Sequence, residues 1–296
     1  PPSDSGSEAV VPVKQFLIEQ GSTLYSVFLL SSLGIVAVWE HGASRRDLRR
    51  QLATRWAGNL SLLFVNGALM WLVYAGWGIA ASMAAAQYQW GLMHHVQLPR
   101  WMEVIVALLL LDLGHFAIHW TLHNVPVLWR IHRLHHTDQD FDFTTGARFH
   151  PFEAIVEHGA NLLVVVLVGA PPLSVAIYAL SYAITTVWVH GNIRMPDGWD
   201  RRMRWIMVTP DMHRVHHSQI QRETDSNYGG FLSLWDRLFG TYVDEPIGGH
   251  EGMAIGVREF DDPRHIRLAW MLRNPFHEGD HSPARGDGLT GRAARP

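Results

Sequence analysis

The stretch TPDMHRVHHSQ, residues 209–219, sets His213, His216 and His217 close together, and WRIHRLHHTD, residues 129–138, repeats the pattern with His132, His135 and His136. Upstream, LLLLDLGHFAIHWTLHNVP carries Asp112, His115, His119 and His123 at steps of three, four and four. On a helix those steps make one stripe. In H-x-x-H-H, residues three or four apart share a helical face, whereas neighbours diverge by ~100°. His132 can therefore pair with His135 or with His136, but His135 and His136 point apart. Each adjacent pair is expected to reach two separate metal ions. The expected metal donors are His119, His123, His132, His135, His136, His190, His213, His216 and His217. One ion accepts at most about six ligands, and four in a closed zinc site, so nine imidazoles imply two ions. Imidazole-rich, thiol-free ligation suits Fe, Zn, Cu or Ni, and ligand type alone does not choose among them.

Metal-bound imidazoles need partners on their other ring nitrogen. Asp112, Glu153, Asn192, Asp211 and Asp236 are candidates for that role or for direct ligation, as is His150 in RFHPFE; Asp138 and Glu157 are further orienting candidates. Asp112 lies inside an apolar stretch, where an unpaired carboxylate is costly. Tyr228 and Trp235 are expected to pack a cap over the site. His158 reads as structural, and His94, His95, His250, His265, His277 and His281 as loop or tail residues.

These side chains must be held by long apolar segments. Nearly half of the 296 residues are apolar, and Trp56, Trp101, Trp199 and Trp205 mark block edges, as in a membrane aromatic belt. Blocks at 23–39, 58–82 and 101–123 are long enough to span a hydrocarbon core of ~30 Å. The loop holding Arg45, Arg46, Arg49, Arg50 and Arg55 is expected to be cytoplasmic and the nearly uncharged 83–100 loop outside, which puts the histidine boxes on the cytoplasmic side. Residues 160–189, broken by Pro171-Pro172, predict a helical hairpin with both ends cytoplasmic. Residues 261–276 predict a membrane-surface helix, with Asp262 as N-cap, Pro263 at its first position and a stop at Pro275.

The expected fold class is an all-α polytopic membrane protein with a cytoplasmic, histidine-rich helical cap around a dimetal site. Its expected segments are a polar N-terminus (1–20), two transmembrane helices (21–100), a catalytic region with the third span and the hairpin (101–250), an interfacial amphipathic helix (251–276) and a disordered tail (277–296). The polar start without Met or a signal-peptide pattern reads as a processed or cut end. A net charge of −3 with no basic stripe excludes a nucleic-acid footprint, and the lack of Cys excludes disulfides and iron–sulfur clusters.

HWTLH (119–123 inclusive of both histidines) after Asp112, HRLHH (132–136), RFHP with Glu153, HGNIRMP with His190 and Asn192, HRVHH (213–217), NYGG (227–230) and WDRLFGTY (235–242) follow one another in an order that resembles the fatty acid hydroxylase/sterol desaturase superfamily of integral-membrane di-iron oxygenases. The resemblance covers roughly 105–245 and looks closest to bacterial sterol desaturase family proteins and alkylglycerol monooxygenase. It implies two Fe ions, which Zn can replace during preparation, and O2 as oxidant. It also implies a lipid substrate entering from the bilayer, such as a sterol, fatty acyl or ether lipid, and an external electron donor, ferredoxin or cytochrome b5-like, with its reductase. The expected reaction is hydroxylation, ether-cleaving monooxygenation or desaturation, in a bacterial inner membrane with the metals on the cytoplasmic side. His115 stands where the family more often has an aromatic residue. No His follows His190 by four, so one metal is short of an imidazole unless water, His150 or a carboxylate fills in. A dizinc membrane hydrolase and a non-catalytic metal- or haem-binding membrane protein are the alternative readings.

Overall fold

The computed structural model describes residues 7–48, 51–74 and 76–277. Among them the chain is helical, with isolated bridges but no strand. The long helices are α1 (Ser7–Gly42), α2 (Leu52–Tyr74), α3 (Trp77–Tyr88), α4 (Arg100–Asn124), α5 (Pro126–His136), α6 (Pro151–Val168) and α7 (Pro172–Val189). Short turns follow: α8 (Asp197–Met203), α9 (Pro210–His216), α10 (Gln221–Thr224) and α11 (Leu234–Phe239). Five helices or helical runs are long and apolar enough to cross a membrane: Glu19–Gly42, Leu52–His95, Arg100–Asn124, Pro151–Val168 and Pro172–Val189. Their outward faces keep large apolar residues exposed, such as Val38, Phe64, Leu72, Leu163 and Leu167, as lipid-facing helices do.

Two apolar blocks differ from their sequence reading. The 58–82 block is not one helix: Gly76 adopts φ 75, a left-handed conformation that breaks the rod between α2 and α3. Helix α3 then packs against the hairpin, and Ser82 Oγ donates to Ala170 O at 2.5 Å in the hairpin turn. The hairpin exists, with Gly169 at φ 67 closing α6 and Pro172 opening α7, but α6 begins at Pro151 rather than near 160. Its polar first turns face inward, which buries Glu153 and Glu157 against the bundle. Helix α4 lies against both α6 and α7, sharing a core of Ala107, Leu111, Val165, Val168 and Val175.

The loop after α1 and the cap lie on the same side of the bundle. Ser44 bridges Ile193, Arg45 pairs with Asp211 at 3.2 Å, and Arg46 donates to the carbonyls of His250 and Met253. Arg55, read as a loop charge, is instead buried in an ion pair with Asp138 and Asp142.

The C-terminal segment is also corrected. Asp262 does cap a helix that opens with Pro263, but this is one 3-10 turn ending at Ile266. Arg267 is extended (φ −93, ψ 136), and α13 (Leu268–Met271) follows as a single turn, after the equally short α12 (Gly249–Gly252). An amphipathic helix would leave Met271 at the membrane surface; here it is fully buried against Leu62 and Leu134. Arg133 fastens the end of the segment by donating to the carbonyls of Asn274 and His277 at 2.7 Å. The tail expected to be disordered lies, beyond His277, outside the described residues, as do residues 1–6.

Candidate metal centre

Helix α4 ends in the cap, and its polar stripe delivers His119 and His123 into the protein interior. Helix α5 starts at Pro126, whose ring presets the first helical turn, and presents the first H-x-x-H-H box. Helix α9 presents the second; Pro210 opens it and the Thr209 side chain accepts from Met212 N. His190 stands at the end of α7.

These elements bring all nine imidazoles into two sets. His119, His123, His132, His136 and His216 form one; His135, His190, His213 and His217 form the other. Within each set one ring nitrogen per residue lies within 4.8 Å of all the others. The adjacent pairs do diverge: His135 and His136 enter different sets, and so do His216 and His217. Spacing alone left open which partner each box would use. Both boxes pair at i, i+4 and send the intervening His to the other set, so each contributes two donors to one set and one to its neighbour. The sets abut, with the His136 and His217 rings stacked 4.5 Å apart.

The donor chemistry fits a cation in each set. His119 Nδ1 donates to Tyr228 O at 2.9 Å and His216 Nδ1 to Ser226 O at 2.6 Å. Carbonyl oxygens only accept, so both rings carry their free lone pair on Nε2. Those two Nε2 atoms face each other at 3.1 Å. Two lone pairs at that distance repel unless a positive charge lies between them. Likewise, His217 has both ring nitrogens buried without a hydrogen-bond partner. Burial, then neighbouring imidazoles, holds His132, His135, His136, His213, His216 and His217 well below the ordinary imidazole pKa; burial brings His190 down to about 4. The rings are therefore neutral donors at physiological pH.

The remaining candidates sort by contact. Glu153 Oε1 accepts from His132 Nδ1 at 2.5 Å, which orients that ring. Replacing Glu153 by Gln is expected to weaken metal retention by ~10- to 100-fold, read by chelator competition; unchanged retention would mean that the contact does not orient a ligand. Asp236 takes the backbone N–H of Tyr228 and Gly229 at 2.8 and 2.9 Å, shaping the turn that offers Tyr228 O to His119. Asp112 touches no ring of either set: it accepts from Trp235 Nε1 at 2.8 Å and Leu232 N at 3.1 Å, tying α4 to the cap. Asn192 binds the backbone of Arg46 on both sides. Burial raises Asp211, but Arg214, His250 and Arg45 outweigh it and hold the carboxylate below its ordinary value. Asp138 pairs with Arg55 and takes bonds from Asn59 and Thr145. His150 caps α6 and its Nε2 donates to Leu272 O at 3.2 Å, so it does not fill the four-imidazole set. His158 Nδ1 bonds Ala154 O within its own helix. Tyr228 packs between Phe116 and the rings of His119, His123 and His216.

Sequence reasoning missed Arg148 and the Arg55 network. Arg148 is fully buried and donates to Leu134 O, Asn59 Oδ1, Thr137 Oγ1 and His265 O, clamping the end of α5. The carbonyls of Ser226 and Thr186, which take the Nδ1 protons of His216 and His190, were also missed because backbone acceptors leave no trace in residue type.

A bundle of apolar helices whose ends gather nine imidazoles into two sets defines a histidine-rich membrane protein whose clusters could each hold a metal ion. Residues 104–241 match the family model described as Fatty acid hydroxylase. The chain is 29% identical over 165 residues to the alkylglycerol monooxygenase of Xenopus tropicalis, covering 54% of this chain and 35% of that protein. It is 27% identical over 241 residues to the ornithine lipid hydroxylase OlsE of Rhizobium tropici, covering 75% and 68%. With human lathosterol oxidase it shares 26% over 160 residues, covering 54% and 51%. The chain spans only 35% and 40% of the length of two alkylglycerol monooxygenases it matches. No solved structure matches it.

Proposed function

We propose that this chain is an integral-membrane, O2-dependent di-iron oxygenase acting on a membrane lipid by hydroxylation or ether-cleaving monooxygenation, with desaturation as the third outcome open to the family. The observation that carries the reading is the division of nine imidazoles into sets of five and four, facing a cavity that runs in among α4, α6 and α7. The likeness to alkylglycerol monooxygenases and an ornithine lipid hydroxylase favours oxygen insertion over desaturation. Two bound irons would supply activation of O2 for attack on a C–H bond.

The chain's own residues do the rest. The five- and four-imidazole sets would hold the ions, with Glu153, Tyr228 O, Ser226 O and Thr186 O fixing the rings that touch them. Phe141, Phe149 and Tyr228 pack against the imidazoles and keep water away. The electrons come from a separate donor of the ferredoxin or cytochrome b5 type with its reductase.

The likeness to monooxygenases and a hydroxylase favours an oxygenase over a dizinc hydrolase. A haem protein would have no use for adjacent histidines that part into separate sets. We place the chain in a bacterial inner membrane with the cap on the cytoplasmic side, because the arginine-bearing loop after α1 meets the cap. Residues 101–250 form the catalytic region.

The test compares lipids of cells expressing the wild type or His216→Ala under isotopically heavy O2 and under nitrogen. A labelled lipid made only by the wild type in oxygen is expected. An O2-dependent product without label would mark desaturation; a product formed equally under nitrogen would contradict the oxygenase reading.

A further inference from the structure

Among the polar side chains that three spanning helices bring to the cavity beside the imidazole sets are His115 from α4, Glu157 from α6 and Tyr182 from α7. None of them belongs to either set. His115 is 7% exposed, and its Nδ1 is buried without a hydrogen-bond partner. The carboxylate oxygen nearest to it in the ion-pair geometry, Glu157 Oε1, is 3.7 Å away, beyond hydrogen-bond reach. Tyr182 Oη donates to that oxygen at 3.0 Å, and its ring meets His115 edge-on with centroids 5.0 Å apart. Space for the imidazole is made by Gly230, where a Cβ would stand 2.4 Å from His115 Cδ2. The His115 ring lies 6.2 Å from that of His119, a member of the five-imidazole set.

A buried imidazole nitrogen left bare among spanning helices is costly, and such residues stand where a ligand or pathway satisfies them. We propose that His115, Glu157 and Tyr182 form a subsite for a hydroxyl group of the lipid. A hydroxyl both donates and accepts, so it can bridge the imidazole nitrogen and the carboxylate that stand too far apart to bond each other. The oxidised carbon of the substrate then lies within a few bonds of that hydroxyl, rather than within an unsubstituted hydrocarbon chain. Its place in a substrate rests on the oxygenase reading; binding of the hydroxyl does not.

The probes are a tritiated sixteen-carbon chain with a mid-chain hydroxyl and the same chain without it, equilibrated with the purified full chain in detergent micelles, with bound metal measured in parallel. A site that hydrogen-bonds a hydroxyl discriminates strongly against the analogue lacking it. The wild type is expected to bind the alcohol ~10- to 10²-fold more tightly, the cost of leaving a buried polar group unpaired with the hydrocarbon. His115→Phe, which keeps an aromatic of similar bulk, is expected to bring that ratio near one while metal content stays at the wild-type value. Glu157→Gln serves as the second variant should His115→Phe fail to fold, with the ratio again reduced. Equal binding of both probes by the wild type, or an undiminished ratio in the variants, overturns the subsite. Lack of two metal ions in the wild type would instead refute the oxygenase reading, and the alcohol-to-hydrocarbon ratio would still decide the subsite.

Discussion

Changing His216 to Ala is expected to cost the protein the ion of one set, and changing its neighbour His217 the ion of the other. The two residues are adjacent in sequence yet belong to different sets, five imidazoles with His216 and four with His217. Each single variant is expected to retain about one equivalent of metal instead of two. Turnover is expected to fall by ~10³-fold or more in each. The double variant should be no less active than the worse single one, because residues that act as a unit are not additive. Metal analysis of the purified proteins, with the lipid product as the second readout, checks this. Loss of both ions from His216→Ala but none from His217→Ala would mean that the box does not divide as described.

The second large effect concerns stability. Arg55 is fully buried, with Nη1 2.8 Å from Asp138 Oδ2 and Nη2 on Asp142. Asp142 also accepts from Trp56 Nε1 at 2.8 Å, and Asp138 from Asn59 at 3.1 Å. Replacing Arg55 by Met leaves two carboxylates buried without their counter-charge, which costs about 3–5 kcal/mol. The segment so disturbed carries Phe141, whose ring lies 5.0 Å from that of His217, so metal should be lost along with stability. The control is Arg194→Ala, which removes an ion pair to Glu251 with both side chains more than half exposed. It should cost under about 1 kcal/mol. Apparent melting temperature in detergent measures both. An Arg55→Met protein as stable as the control would show that the buried network does not support the cap.

Much of the site was legible because its geometry is local. The i, i+4 and adjacent spacings in HRLHH and HRVHH oblige neighbouring rings to part, whatever surrounds them, and the order of the boxes carries the family resemblance. Which of His135 and His136 would pair with His132 was not legible, since both lie within one helical turn of it; the choice is made by the long-range approach of α4 and α9. Arg55 read as a loop charge because its partners, Asp138 and Asp142, lie more than eighty residues away. His150 looked like a spare ligand by type, but its ring is spent capping α6 and bonding Leu272 O. The 261–276 segment has a genuine cap signal at Asp262, but the turn it starts ends at Ile266, and the burial of Met271 against Leu62 of α2 and Leu134 of α5 is a long-range contact that residue type does not reveal.

The most direct measurement is an anomalous-scattering map of the metal-loaded protein. Two separate peaks are expected, one enclosed by His119, His123, His132, His136 and His216, the other by His135, His190, His213 and His217. A lone peak shared by the two triplets, or peaks away from these rings, would contradict a two-ion centre.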